Sequence, residues 1–227
     1  MASRAKSRAL RAPTPPSSES LLRASKDPDF RQERSRRSYC ALIDAATVLF
    51  AEHGYDAVGT PEIAQRAGVS VGTFYRYFDD KHEVYLEISR RMLATAFAET
   101  IEGLTPARFV GLARRETINE TIALLFEHVL AKPQLSRSFT EMSLRDPQVA
   151  ELRRAFEDVS VRRLTALISA VTQRDVVPDP EATAWVLYGS AMQCAYGLAE
   201  HAGPPPIGAD RAMKALADFV ERALFPR

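Results

Sequence analysis

Two short amphipathic segments on either side of Gly68 constrain the fold of this chain more than any other feature of its sequence. The first, GTPEIAQRAG, has Thr60 as its predicted N-cap, Pro61 at the first helical position and Glu62 near the positive helix end. The second, VSVGTFYRYF, has Ser70 as its predicted cap. Two short helices joined by a glycine turn and preceded by a longer supporting helix form a helix-turn-helix.

Longer helical patterns surround this pair. In RRSYCALIDAATVLFAEHGYD, apolar residues recur at steps of three and four, and Gly54 ends the pattern. Asp79 or Asp80 is the predicted cap of a long helix that runs to about residue 102, and SLLRAS could form one short helical turn. The later helices are predicted to begin at Thr105-Pro106, Pro133, Asp146-Pro147, Asp179-Pro180 and Asp210, the first of them running to about Ala131. No segment alternates as a strand does, so we predict an all-α chain of about nine helices.

The second short segment has the composition of a helix that enters a major groove about 12 Å wide. Phe74 and Phe78 are four residues apart and should face inward, although burial of all four aromatic rings in the core is an alternative. The phenols of Tyr75 and Tyr77 could donate to phosphate, and Arg76 could reach phosphate or guanine. The predicted contacts to DNA within and around this helix are Thr60, Ser70, Val71, Gly72, Thr73, Tyr75, Arg76, Tyr77 and Lys81.

Positive charge is concentrated at the start of the chain. Residues 1–37 contain ten Lys or Arg and four Asp or Glu, although the formal net charge of all 227 residues is only +1. A basic arm of this kind favours a polyanionic partner, and the alternative is a solvated tail. The stretch RAPTPPSSES predicts a flexible arm, and Arg34, Arg36 and Arg37 are expected to reach the DNA backbone or minor groove.

Several other classes of site find no support in the sequence. The only two cysteines, Cys40 and Cys194, are far apart in apolar helical patterns, which favours free thiols and a cytoplasmic protein. No apolar run is long enough to span a membrane, and the four histidines lack the spacing of metal ligands. No paired carboxylates, nucleophile–base pair or phosphate loop indicate an enzyme. We therefore expect no catalytic residues, metal or cofactor.

The run ALIDAATVLFAEHGYDAVGTPEIAQRAGVSVGTFYRYFDDKHEVYLEI resembles the N-terminal domain of the TetR family of bacterial transcriptional repressors. About 48 residues carry the resemblance. Val58-Gly59 stand where the family usually has Thr or Ser at the start of its second helix, so Thr60 is expected to replace that cap and its phosphate contact. The matching elements are Ala45-Ala46, Phe50, Gly54-Tyr55, Ile63-Ala64, Ala67-Gly68-Val69-Ser70, Gly72-Thr73, Tyr75, Tyr77-Phe78 and Lys81.

The resemblance implies a fold and a domain organisation. A flexible basic arm (1–33) would precede a three-helix helix-turn-helix DNA-binding domain (34–82) and a helical ligand-binding and dimerisation domain (83–227). It also implies a homodimer that binds double-stranded DNA at a palindromic operator, with repression as the family habit. Ligand binding would shift the helix at about 80–102 and change the separation of the two DNA-reading heads. The alternatives are a regulator controlled by a protein partner without a small-molecule effector, and an all-helical enzyme.

Candidate residues for the two functions of the body follow from this expectation. For an apolar or aromatic effector, the predicted walls and anchors are Met92, Phe97, Ile118, Asn119, Ile122, Leu125, Phe126, Phe139, Glu141, Met142, Trp185, Tyr188 and Gln193. The dimer is expected to use two long helices at about 147–173 and 180–202. Its predicted interface residues are Phe156, Val159, Leu167, Gly189, Met192 and Tyr196, and packing within one subunit is the alternative for all of them.

Overall fold

The computed structural model describes residues 18–23, 32–111, 113–200 and 204–226, and within these ranges every regular element is helical. None of the described helices is both long and apolar enough to cross a membrane. The elements are α1 (Ser18–Arg23), α2 (Glu33–His53), α3 (Thr60–Arg66), α4 (Val71–Tyr77), α5 (Lys81–Phe97), a π-helical turn (Ala98–Glu102), a 3₁₀ turn (Pro106–Phe109), α6 (Ala113–Leu130), α7 (Pro133–Arg145), α8 (Pro147–Val171), α9 (Pro180–Glu200) and α10 (Ala209–Leu224). The all-α prediction is confirmed. The rest of the predicted basic arm lies outside the described residues.

Helices α2, α3 and α4 form the predicted helix-turn-helix. The turn between α3 and α4 depends on Gly68, whose φ of 68° lies in the left-handed region that glycine adopts without steric cost. Phe74 and Phe78 are buried, as predicted, and the ring of Phe78 stacks on Tyr39 of α2 at a centroid distance of 5.1 Å. The short helix α4 is therefore fixed to α2 by aromatic packing.

Helix α5 joins the helix-turn-helix to the rest of the molecule. Its first turns bury Val84 and Tyr85 in the same apolar core as α2 and α4, and that core continues to Phe139 and Phe156 of α7 and α8. The predicted boundary after residue 82 thus falls within the first turn of α5. Because one core spans both sides, a movement of α5 would also displace the helices of the helix-turn-helix.

The body is built from α6 to α10 around two smaller cores. One core lies between α6, α9 and α10, and includes Phe126, Ala195 and Leu216. The other lies between α8, α9 and α10, and includes Ile168 and Leu187. Prolines begin α7, α8 and α9, as predicted, because proline lacks the N–H that the first turn would leave without a partner.

Three predicted helix starts are wrong. Gly59 is the N-cap of α3 and Thr60 is the first helical residue, so the side chain of Thr60 is free to bond elsewhere. Gly208 caps α10 instead of Asp210, which lies in its first turn. The helix predicted from Thr105-Pro106 is interrupted after a single 3₁₀ turn, and Gly111 has a φ of 60° that an α-helix cannot accommodate.

Candidate nucleic-acid interface and ligand cavity

Helix α4 presents a small, polar surface to solvent. Val71, Gly72, Tyr75 and Arg76 are exposed, and Tyr75 retains 54% of its accessible surface although it contacts Phe74 edge-on. A buried role for all four aromatic rings is therefore wrong for Tyr75. The exposed residues occupy the first two turns of the helix, where small side chains allow close approach to a groove.

The hydroxyl groups around this helix form local bonds. Ser70 caps α4 as predicted, since its Oγ accepts the N–H of Thr73 at 3.1 Å and lies 2.9 Å from the Oγ1 of Thr73. Thr60 Oγ1 is hydrogen-bonded to the Tyr75 hydroxyl at 3.2 Å. The bond between Thr60 and Tyr75 therefore joins the start of α3 to the exposed face of α4.

A groove separates the N-terminal end of α2 from α4. The guanidinium-bearing residues Arg34 and Arg76 both line it, together with Ser70 and Tyr77. The Tyr77 ring is partly buried and packs edge-on against Tyr39 at 5.9 Å. Two arginines flanking hydroxyl groups in an open groove are suited to a phosphate of a nucleic-acid backbone.

The two other arginines at the start of α2 are paired with Glu33. The guanidinium of Arg36 donates to both carboxylate oxygens at 3.0 and 2.8 Å, and Arg37 Nε donates to one of them at 3.3 Å. The hydrogen bond from Arg36, assisted by that from Arg37, lowers the pKa of Glu33. All three side chains are exposed, so this cluster keeps a net positive charge on the surface that adjoins α4.

Lys81 has a different role from the predicted phosphate contact. Its Nζ donates to the backbone carbonyls of Tyr55, Asp56 and Val58 at 3.0, 3.2 and 2.9 Å, and lies 4.6 Å from the centroid of the Tyr55 ring. An ammonium group has three N–H donors, and all three are used here. Lys81 therefore closes the loop between α2 and α3, and we leave it out of the proposed DNA contacts.

Polar contacts join the helix-turn-helix to α7 and α8. Arg145 at the end of α7 donates to both carboxylate oxygens of Asp56 at 3.0 and 2.9 Å. His82 Nε2 lies 2.8 Å from Asp146 Oδ2, and the buried hydroxyl of Tyr85 is bonded to Ser138 at 3.1 Å. Burial raises the pKa of Tyr85 to about 12, so its hydroxyl remains neutral. These contacts fix the orientation of the DNA-reading helices relative to the body.

An apolar cavity of about 120 Å³ lies within the body. Of the predicted effector residues, Ile118, Ile122, Leu125 and Tyr188 line it. The other lining residues are Thr100, Ile101, Leu104, Phe109, Thr121, Phe156, Leu164, Leu167, Ile168, Val171, Leu187, Ala191, Met192, Val220 and Leu224. Helical spacing in the sequence marks such residues as inward-facing but does not distinguish a cavity wall from solid core.

Several predicted effector residues lie elsewhere. Met92, Phe97 and Met142 belong to or pack against the core around the helix-turn-helix, and Phe126 belongs to the core between α6 and α9. Asn119 and Glu141 are exposed and do not line the cavity. The remaining three, Phe139, Trp185 and Gln193, line a second cleft between α7, α8 and α9.

Most of the predicted dimer residues face the interior of the subunit. Phe156, Val159 and Leu167 are each less than a tenth exposed, and Phe156 and Leu167 line the cavity. Met192 and Tyr196 are partly buried, and only Gly189 is exposed. The apolar stripe of α8 thus packs within one subunit, and residues such as Phe156 cannot contact a partner.

The π-helical turn after α5 forms part of the cavity wall. Thr100 and Ile101 of this turn line the cavity, while Glu99 lies 2.9 Å from Nε2 of His128 on α6. At its end, Nη2 of Arg163 on α8 donates to the carbonyls of Glu102 and Leu104, each at 3.1 Å. A π-turn within a helix is often found at functional sites. Here the cavity directly adjoins the helix that carries the DNA-reading domain.

Comparisons with known proteins identify the family to which this chain is similar. The model of the family described as "Bacterial regulatory proteins, tetR family" matches residues 42–88. The chain is 31% identical over 148 residues to the HTH-type transcriptional repressor Rv1474c of Mycobacterium tuberculosis, covering 61% of this chain and 70% of that protein. It is 27% identical over 144 residues to the fatty acid metabolism regulator protein of Bacillus subtilis, covering 62% and 70%.

A solved structure shares most of this architecture. A TetR-family transcriptional regulator from Mesorhizobium loti superimposes with a TM-score of 0.64 at 26% identity, covering 85% of this chain and 98% of that one. The match therefore includes the helical body as well as the helix-turn-helix.

Proposed function

Because the chain belongs to the TetR family of bacterial regulatory proteins, and is therefore a DNA-binding transcriptional regulator and not an enzyme, we propose that it is a repressor released by a small apolar ligand. The proposed operator is a palindrome, and the proposed place of action is the cytoplasm, where the chromosome lies. The DNA contacts that we propose are Arg34, Arg36, Arg37, Thr60, Ser70, Val71, Gly72, Thr73, Tyr75, Arg76 and Tyr77.

The observation that carries the proposal is the position of the cavity against the π-helical turn. A ligand that contacts Thr100 and Ile101 acts on the continuation of α5, and α5 shares its core with the DNA-reading helices. Release from DNA requires that the ligand bind more tightly to the conformation that does not fit the operator. A cavity that touches this helical continuation gives the ligand the contacts for such a difference.

The chemistry of the cavity supports an apolar ligand. The hydroxyls of Thr100 and Thr121 donate to carbonyls of their own helices, at Ala96 and Thr117, so neither is left without a partner. The name of the Bacillus subtilis relative refers to fatty acid metabolism, which makes an aliphatic chain a reasonable occupant.

The exposed side of α9 is the proposed dimer surface. Trp185 and Val186 retain 59% and 48% of their accessible surface, and Gly189 and Cys194 are also exposed. Exposed apolar side chains that adjoin a glycine on a long helix suit close packing against the same helix of a second subunit. Such a dimer would present two α4 helices to half-sites about 34 Å apart.

Selection of bound fragments from bacterial genomic DNA tests the first part of the proposal. We expect the enriched fragments to share a palindrome, and enrichment without two-fold symmetry would contradict a dimeric repressor. The neighbouring genes would then identify the regulated pathway.

A cavity-filling variant tests the second part. Ala191 is partly buried and lines the cavity, so Ala191→Leu should occupy part of the space that a ligand needs. We expect this variant to bind the selected operator normally and to resist release by 1-decanol, measured by fluorescence anisotropy. Release of the wild-type and variant proteins at the same decanol concentration would place the ligand outside this cavity.

A further inference from the structure

A second cleft of about 270 Å³ lies beside the apolar cavity, between α7, α8 and α9. Phe156, Tyr188 and Met192 line both spaces and so form a common wall. The rings of Phe156 and Tyr188 are 6.2 Å apart, centroid to centroid. Unlike the cavity, the cleft has charged and polar residues among its walls. A molecule that occupied both spaces would place an apolar group in the cavity and a polar group in the cleft.

Three charged residues line the cleft, and two of them are acidic. Glu157 and Glu200 oppose Arg153, whose Nη1 donates to the hydroxyl of Ser143 at 3.0 Å. Glu157 accepts the indole N–H of Trp185 at 3.0 Å, and within the described residues no Lys, Arg or His forms an ion pair with it. A neutral donor leaves the negative charge of Glu157 in place. The cleft is therefore suited to a positive group and unsuited to a carboxylate or phosphate.

The rings of the cleft point to the same chemistry. Trp185, Tyr188 and Tyr196 line it, and a cation near the face of such rings is attracted by their quadrupole. Neither phenol of Tyr188 or Tyr196 has a hydrogen-bond partner within the described residues, although burial raises the pKa of Tyr196 to about 12. These neutral phenols each keep an acceptor oxygen that no described residue occupies, and both residues line the cleft.

We propose that the effector is an amphipathic organic cation. Its alkyl chain occupies the apolar cavity, and its ammonium head lies in the cleft among Trp185, Tyr188, Tyr196 and the carboxylate of Glu157. This inference rests on the proposed function, because it assigns the head group of the ligand that releases the repressor. An anionic amphiphile of the same chain length would place a like charge beside Glu157 and Glu200.

Three probes of equal chain length separate the head-group chemistry from the apolar chain. Decyltrimethylammonium, decanoate and 1-decanol, each below its micellar concentration, are titrated into the full chain by isothermal calorimetry and then into its operator complex. We expect the cation to bind on the order of tenfold or more tightly than decanoate and to release DNA at the lowest concentration.

Matched variants assign the effect to Glu157. Glu157→Gln should weaken binding of the cation roughly tenfold, the loss expected for one charge-assisted contact, and leave decanol binding within about twofold. Glu151→Gln changes an exposed glutamate on the same helix and should alter neither affinity. Trp185→Phe provides a second change in the cleft and removes the indole N–H. Because Trp185 also lies on the proposed dimer surface, thermal unfolding and sedimentation of each variant verify that the fold and the dimer are retained.

The possible outcomes separate the two proposals. If decanoate or decanol releases DNA as readily as the cation, or if Glu157→Gln leaves cation binding unchanged, the cationic head group is wrong while the ligand-released repressor stands. If no probe binds or releases DNA, the proposed function is contradicted as well.

Discussion

Gly72 lies at the second position of α4. Its helical backbone conformation is one that any L-amino acid can adopt. A methyl group built there would meet only the Oγ of Ser70, at 3.8 Å, so it would fit. Alanine is favoured over glycine in a helix by about 1 kcal/mol. We therefore expect Gly72→Ala to leave the free energy of unfolding unchanged or slightly increased, and yet to weaken operator binding, because the added methyl projects from the surface that approaches DNA.

The two effects of Gly72→Ala are measured by thermal denaturation and by fluorescence anisotropy with the operator. Gly197→Ala serves as the control, since Gly197 is also helical, has room for a methyl group and lies in α9, far along the chain from α4. Operator affinity equal to that of the wild type would mean that α4 does not approach DNA at this residue.

Lys81 provides the opposite case, a residue whose expected DNA contact is replaced by a structural role. Lys81→Met removes the donor to three carbonyls and leaves them partly buried, so we expect the free energy of unfolding to fall by about 2–3 kcal/mol. The salt dependence of operator binding should keep its slope, because no phosphate contact is lost. A reduced slope at unchanged stability would restore the phosphate contact and contradict the structural role.

At the scale of helices, the sequence predicts those helix starts that depend on neighbouring residues alone. Ser70, Pro133 and Pro147 act at helix starts through neighbouring backbone groups, and their roles follow from local sequence. The apolar stripe of α8 also follows from the sequence, but the elements that cover this stripe do not. Phe156 and Leu167 have the spacing of an interface residue and of a cavity wall alike, because periodicity specifies a face of a helix and not what covers it.

Asp146 connects two elements, since it caps α8 and contacts His82 of α5. Burial opposes the charge of its carboxylate, but the N–H groups of Val149 and Gln148 and the nearby His82 outweigh it and lower the pKa of Asp146. Its contribution to stability is therefore complete above the unfolded-state pKa of about 3.9 and is lost as the pH falls through the lower folded-state pKa.

Asp146→Ala removes both contacts and should lower the free energy of unfolding by about 1–2 kcal/mol at neutral pH. Asp146→Asn keeps a capping oxygen, so its free energy of unfolding should fall by less. In both variants, the decrease in the free energy of unfolding between pH 5 and pH 2 should be smaller than in the wild type. Denaturant titrations across this pH range measure the difference. An acid transition as steep in both variants as in the wild type would show that Asp146 does not contribute to it.

For the whole molecule, the cavity, the π-helical turn and the DNA-reading helices form one contiguous path. Ile101 of the π-helical turn lines the cavity. The turn follows α5, and α5 buries Tyr85 in the core that it shares with the helix-turn-helix. Arg145 at the end of α7 binds Asp56 in the loop between α2 and α3. In the proposed mechanism, one subunit transmits ligand binding to its own α4 along this path. Converting that local shift into loss of operator binding needs a second α4 at a fixed distance, and so depends on the dimer.

Substitutions on the exposed face of α9 test whether operator binding depends on the dimer. Val186→Asp places a charge at the centre of the proposed dimer surface, where burial without a partner is costly, so we expect sedimentation of the variant as a monomer. Affinity for the palindrome should fall by at least tenfold, while the weaker affinity for an isolated half-site should remain, because α4 is unaltered. Leu144→Asp is the matched control, since Leu144 is 82% exposed and lies at the end of α7, outside the proposed dimer surface. A Val186→Asp protein that sediments as a dimer would place the interface on another face of the body.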